Sequence, residues 1–392
     1  MQNGLASYSQ QRYELRITAF QTNTIVNITV LGGIFKQNLT SSAGTTISVA
    51  LPESVENRGS LTFSNSVHVT SNKPINILSL NHRFRSAETS IVYPLDNLGT
   101  TYYLITPKQG STGSYKAFSV IASKEDTSVD IYLKGVVEFK GLKYPANSVL
   151  TVRLAAFEGI QLLSSDDLSG SKVKSEKPVA VLSGHTCAIK NTQCSHVFEQ
   201  LMPVDLWGKS FYVAPFSFQT KSDIVFIVAA GNTEVSYDLG TNERSISMVD
   251  GQVQEIEMPG ETLSITASSP IQVMSFNTGG TVRRFNYNPS IMNILDTGSY
   301  CSSYYIYGQR DIDNYAIIIA KNVSVNGITF GGLRLKNPVW QQIHGTDYMW
   351  LQYYFGTSFI SNMVQHPTDS FGLQSIGVGV QFSYGSPGSC IK

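Results

Sequence analysis

The chain has 392 residues, 28 basic against 28 acidic side chains, and only 14% charged residues, well below the roughly 25% of an average globular protein. Zero formal net charge gives no electrostatic pull towards nucleic acid or an anionic membrane, and no apolar run reaches the ~18 residues needed to insert in a bilayer. Ser, Thr, Gly, Val, Ile and Tyr fill the composition instead, the vocabulary of strands and turns, and the length calls for several units or a repeat array.

The opening stretch "MQNGLASYSQQRYELR" lacks the basic-then-apolar pattern of a signal peptide. From there the same elements return in order. The first is a hairpin, an apolar run, a polar turn and an alternating strand: "LRITAFQTNTIVNITVLG" (15–32), then 117–135, 224–240 and 315–332. The second is a strand of period two, "TTISVALP" (45–52), answered by "NSVLTVRL" (147–154), "GQVQEIEMPG" (251–260) and "DYMWLQYYFG" (347–356). The third is marked by proline: "SNKPINILSLNH" (71–82), "SEKPVAVLSGH" (175–185) and "ASSPIQVMSFNT" (267–278), with a degenerate copy at 369–379. Connections at 81–99, 184–208 and 277–298 read as long loops. A fourth element closes each cycle: "YPLDNLGTTYYLITP" (93–107), "MPVDLWGKSFYVAPF" (202–216) and "NILDTGSYCSSYYIYG" (293–308). The only helical signal is one short turn expected in "SHVFEQLMPVDLW", stopped by Pro203.

This periodicity predicts an all-β protein of four β-sandwich-like repeats of about 100 residues packed in tandem, with a four-bladed β-propeller as the alternative. The expected repeats are 1–88, 89–190, 191–280 and 281–392. Long loops recurring at one place in each repeat would gather on one side, where binding sites concentrate. "NHRFRSAETS" (81–90) and "GGTVRRFNYNP" (279–289) each set Arg beside Phe there, so Arg83, Phe84, Arg85, Arg283, Arg284 and Phe285 are the candidate binding residues. The alternative for both stretches is solvated arginines over tucked phenylalanines.

No G-x-S-x-G, P-loop, G-x-G-x-x-G or H-E-x-x-H motif occurs, and the six histidines are scattered, so no catalytic residue and no cofactor is assigned. "DIDN" (311–314) and "SSDDLSG" (164–170) read as turns, with calcium as the other reading. "YMWLQYYF" (348–355) reads as a strand packing in the core, with a sugar-stacking platform as the alternative. N-glycosylation sequons lie at Asn27, Asn38 and Asn322.

The run "KPVAVLSGHTC…CSHVFEQLMPVDLWGKSFYVAPF" (177–216) resembles the amino-terminal domain of IgG-Fc-binding proteins, large secreted mucus glycoproteins otherwise built of von Willebrand D-type domains. The matching positions are Lys177 to Val181, Ser183–Gly184, Cys187 and Cys194, His196, Glu199–Gln200, Pro203 and Trp207–Gly208. Ser195 departs from the pattern, which carries Asp before the His. The resemblance implies a secreted, mucus- or surface-associated adhesion module, read as non-enzymatic, with a purely structural β-repeat spacer and an enzyme whose site is dispersed over the loops as the alternatives. Its partner would be an extracellular glycoprotein, a mucin or a glycan, and further domains of a larger secreted protein would be neighbours. In that oxidising setting Cys187 would pair with Cys194, and Cys301 with Cys390. The spacing His185-x-Cys187 and Cys194-x-His196 also carries the residue types of a Cys2His2 zinc site, which stands as the alternative to the first pair.

Overall fold

A computed structural model describes residues 12–33, 35–83, 86–240, 243–283, 285–358 and 360–391. Its regular structure is β throughout, with 3₁₀ turns as the only helical segments among the described residues. Contacts divide the chain into two compact units. The first takes residues up to Lys190 with Cys194–Trp207 and Gly251–Val253, and the second takes Asn191–Gln193, Gly208–Asp250 and Gln254 onward.

One antiparallel four-stranded arrangement occurs twice in each unit, as a whole sheet in its first copy and within sheets of eight, seven and five strands in the other three. In the first unit β1 (Arg12–Ala19), β2 (Thr46–Leu51), β3 (Ile75–Arg83) and β4 (Ser86–Ile91) lie in the order β2-β1-β3-β4. There too β5 (Lys116–Ala122), β6 (Gly159–Ser164), β7 (Lys172–Ala188) and β8 (Ser195–Gln200) lie in the order β6-β5-β7-β8. The second unit repeats this with β9 (Asp223–Ala229), β10 (Val253–Met258), β11 (Leu263–Asn277) and β12 (Ser290–Ile294), ordered β10-β9-β11-β12. Its other copy is β13 (Asp313–Lys321), β14 (Tyr348–Gly356), β15 (Gly372–Gly379) and β16 (Phe382–Pro387), ordered β14-β13-β15-β16. Smaller sheets supply opposite layers. Val26 and Ile28 of the strand Thr24–Val30 share a buried cluster with Leu15, Ile17, Val49 and Ile77, and Tyr304, Ile306 and Val364 do the same for Ala316, Ile318 and Ala320.

The prolines mark where a strand passes between layers. β7 pairs through Lys172–Ser175 with the strand Thr127–Tyr132, then from Val179 to His185 with β5, and Pro178 stands between. β11 does likewise, pairing through Ser264–Ala267 with Thr233–Asp238 and from Ile271 to Phe276 with β9, around Pro270. In the first copy the passage breaks the strand outright: Val67–Ser71 ends, and β3 begins at Ile75 after Pro74. Proline has no N–H to offer a ladder, so it fits where pairing is interrupted.

Three expectations are corrected. The connections read as long loops contain β4, β8 and β12, each hydrogen-bonded to the Pro-marked strand before it. "SAETSI" and "SHVFEQ" look like loops because they are polar, yet every residue in them is buried. Since these strands straddle or lie just past 88, 190 and 280, we propose repeat ends at 91, 200 and 294. Second, "NSVLTVRL" pairs with Thr127–Tyr132 in the other layer, and the place beside β5 belongs to β6. Period two identifies a strand but not its sheet. Third, the helical turn follows Pro203 instead of preceding it, at Val204–Leu206. Equivalent turns stand at Leu95–Asn97 and Thr297–Ser299. Pro94 and Pro203 lead into the first two with φ near −65°, and Asp296 takes that place in the third, accepting from the Ser299 N–H at 2.9 Å.

Candidate functional site

Three stretches that look unrelated in the sequence meet in the second unit. The strands Gly280–Val282 and Phe285–Tyr287 form a small hairpin. Arg283 sits in its turn at φ +53°, with its side chain 65% exposed. One guanidinium nitrogen, Nη1, lies 3.2 Å from Oδ2 of Asp313, a nearly buried carboxylate at the start of β13. The Tyr354 hydroxyl, from β14, donates to the other carboxylate oxygen at 3.3 Å. Behind this group the Tyr354 and Tyr315 rings lie 5.4 Å apart, and Phe218 contacts Tyr315 at 5.3 Å and Tyr287 at 5.5 Å. Burial, and next to it the Asp313 charge, raise the Tyr354 and Tyr315 hydroxyls above their usual range, so both remain protonated donors. Arg and Tyr held on a rigid base, each with part of its surface open, are the side chains that anchor protein interfaces. The signals were present in "GGTVRRF", "DIDN" and "YMWLQYYF", but nothing local joins them.

Arg83 is corrected. It is 4% exposed, and its Nη2 donates to both carboxylate oxygens of Glu56 at 2.9 and 2.8 Å, while Arg58 approaches the same carboxylate at 3.0 Å. A guanidinium buried against a carboxylate belongs to the scaffold, because leaving either partner alone would strand a desolvated charge. Phe285 is half-buried against the core of the second unit. Phe84, Arg85 and Arg284 lie outside the described residues. Of the sequons, Asn27 and Asn38 are both exposed and directly opposite each other on neighbouring strands. Asn322 is exposed at the start of a 3₁₀ turn.

All four cysteines are in disulfides. Cys187–Cys194, with Cα atoms 5.1 Å apart, closes the β7–β8 turn, and Cys301–Cys390, at 5.9 Å, spans a separation of 89 residues. Sulfurs bonded to each other are not thiolate ligands, so the zinc reading of Cys187 and Cys194 lapses. Among the described residues no group of three or more His, Cys, Asp or Glu is placed to hold a metal. The two flanking histidines point inward. His185 Nδ1 accepts from the Cys187 N–H at 3.0 Å, and its Nε2 is buried without a hydrogen-bond partner. The ring lies where a Cβ on Gly110 would be, which makes glycine obligatory there. Burial, with a smaller contribution from Lys116, pushes His185 down to about 3, and burial holds His196 well below its ordinary value. Both are neutral core residues at physiological pH.

Between the two four-stranded sheets of the first unit lies a cavity of about 270 Å³. Its walls are mostly apolar, and the Glu14 and Glu56 carboxylates on them face Arg16 and Arg83 respectively.

The arrangement is that of a disulfide-stapled β framework that presents side chains on hairpins. The family described as "IgGFc binding protein" matches residues 88–377, and the human "IgGFc-binding protein" is 32% identical over 393 aligned residues, covering 100% of this chain and 7% of that protein. The chain belongs to the IgGFc-binding family, and it spans a small fraction of that relative's length. A solved structure titled "Ca2+-stabilized adhesin helps an Antarctic bacterium reach out and bind ice" covers 95% of this chain and 91% of its own at 9% identity, with a TM-score of 0.12. That likeness bears on neither fold nor function.

Proposed function

We propose that the chain is a secreted, non-enzymatic recognition module that binds an extracellular glycoprotein, with the Arg283–Asp313–Tyr354 cluster as its anchor. Membership of a family of binding proteins along the whole chain is the observation that carries this reading. Two disulfides, and exposed sequons at Asn27, Asn38 and Asn322 that we expect to bear N-glycans, support an extracellular setting. No helix among the described residues is long and apolar enough to cross a membrane.

IgG Fc is the partner in the human relative's name, so immobilised Fc is the first target to test, followed by a purified mucin. Saturable binding to either is expected. Arg283→Ala combined with Tyr354→Ala should weaken it about 30-fold or more, as loss of an Arg or Tyr anchor does. Because both changes take partners from the buried Asp313 carboxylate, affinity is read on preparations whose circular dichroism and cooperative melt show the fold retained. Binding at undiminished affinity would place the recognition surface elsewhere. No saturable binding to Fc, mucin or a glycan array would favour a structural spacer.

A further inference from the structure

We propose that the cavity of the first unit is a binding site for a small neutral amphiphile, a molecule with an apolar body and one hydrogen-bond donor. The site is separate from the Arg283 cluster and does not depend on it.

The second unit supplies the internal control. Ile121 pairs with Ala180 across β5 and β7, and Ile319 pairs with Gly372 across β13 and β15, so Ala180 and Gly372 occupy equivalent places. Leu98 and Tyr300 are likewise equivalent, each capping the 3₁₀ turn that follows the sheet. Around Tyr300, Ile319 and Gly372 the open volume is about 10 Å³. The Tyr300 ring packs where a Cβ on Gly372 would otherwise stand, 2.6 Å from it. In the first unit the shorter Leu98 replaces the tyrosine, Ala180 replaces the glycine, and about 270 Å³ stays open. The same fold therefore closes this space once and leaves it open once. An empty apolar space forfeits packing contacts, so an open copy beside a filled one marks room kept for an occupant.

The walls define the occupant. Phe63, Leu80, Ile121, Phe157, Leu182 and Phe198 line it, which calls for an apolar body. A cavity of roughly 150 Å³ holds benzene, so this one takes a fused aromatic or a medium acyl chain. The carboxylates on the wall already face guanidinium groups, Glu14 with Arg16 and Glu56 with Arg83 and Arg58, so these pairs neutralise one another and do not call for an ionic ligand. Of the buried wall acceptors without a hydrogen-bond partner, Glu14 Oε2 is ion-paired with Arg16, and Asn65 Oδ1, just beneath the cavity surface, lacks one, its amide nitrogen being engaged by the Ser54 carbonyl. A ligand hydroxyl or N–H would satisfy it.

N-phenyl-1-naphthylamine, an aromatic body with a single N–H whose fluorescence rises in apolar surroundings, is the probe. Titrated into the whole chain, it should bind saturably at one site per chain. Leu98→Tyr combined with Ala180→Gly, which transplants the plug of the second unit together with the glycine that makes room for its ring, should weaken binding at least about tenfold while keeping or raising the melting temperature. Asn65→Leu should weaken it by about three- to tenfold through loss of the acceptor. Where this double variant gives no cooperative melt, Ala180→Leu is read in its place with the same expectation. Absence of saturable binding to the wild-type chain, or wild-type affinity in the folded filling variant, would overturn the proposal.

Discussion

The two units build the same topology around opposite interiors. In the first, β4 and β8 approach each other through polar side chains. Ser86 Oγ accepts from the His196 N–H at 2.9 Å, Ser90 Oγ accepts from the Gln200 N–H at 2.8 Å, and the Gln200 side chain accepts from the Tyr93 N–H at 3.2 Å. Side chains here stand in for the backbone partners that two edge strands lack, and Glu88, His185, His196 and Glu199 are buried in the same region. In the second, Met292 of β12 lies against Gly385 of β16. One apolar cluster there joins Val225, Ile227, Val273 and Ile294 from one four-stranded sheet to Ile317, Ile319, Ile376 and Val378 from the other. The comparison separates two things that usually travel together. The backbone ladders set the topology, and the side chains between sheets decide whether the interior is a polar seam with a cavity or a packed core.

The largest expected effect compares the staples. Opening Cys301–Cys390 by Cys→Ser at both positions should cost about 4–5 kcal/mol and opening Cys187–Cys194 about 2.5 kcal/mol, since a longer closed loop restrains the unfolded chain more; the sequence separations are 89 and 7. Denaturant melts of the two double variants would check this, and equal losses would show that native-state packing, not loop length, sets the difference.

Acid should find the first unit before the second. His185 is held down to about 3 in the folded protein by burial first and Lys116 second, whereas in the unfolded chain it takes a proton near 6.5. Above 6.5 both states are neutral and the residue makes no difference. As pH falls from 6.5 towards 3 only the unfolded chain is protonated, so stability drops by about 1.4 kcal/mol per pH unit for this residue. His196 acts in the same direction. His185→Asn keeps an acceptor for the Cys187 N–H and removes the titration. Its stability should fall less than that of the wild type between pH 6.5 and 4.5, and parallel losses would mean that other groups govern acid unfolding.

The smallest effect concerns the seam itself. Ser86→Ala leaves the buried His196 N–H without its acceptor and should cost about 1–3 kcal/mol. Gly385→Ala, on the apolar side of the comparison, should cost less, because the flexible thioether of Met292 can yield. Reversal of that order in thermal melts would show that water reaches the polar seam and substitutes for the serine.

The sequence by itself determined the β class, the recurrence of one Pro-marked strand and the turns that punctuate it. Those signals are local: side-chain period, proline's missing donor and turn chemistry act within a few residues. It did not reveal that "SAETSI" and "SHVFEQ" are buried strands, because a polar side chain is accepted in the interior only when a particular partner lies across from it. Nor could it separate Arg83 from Arg283, which share an Arg–Phe context in the chain. Tertiary structure set the first against Glu56 inside the protein and left the second in an open turn above Asp313. The meeting of Arg283, Asp313 and Tyr354, like the contrast between Leu98 and Tyr300, was decided by which strands came to lie side by side, over separations that no local pattern spans.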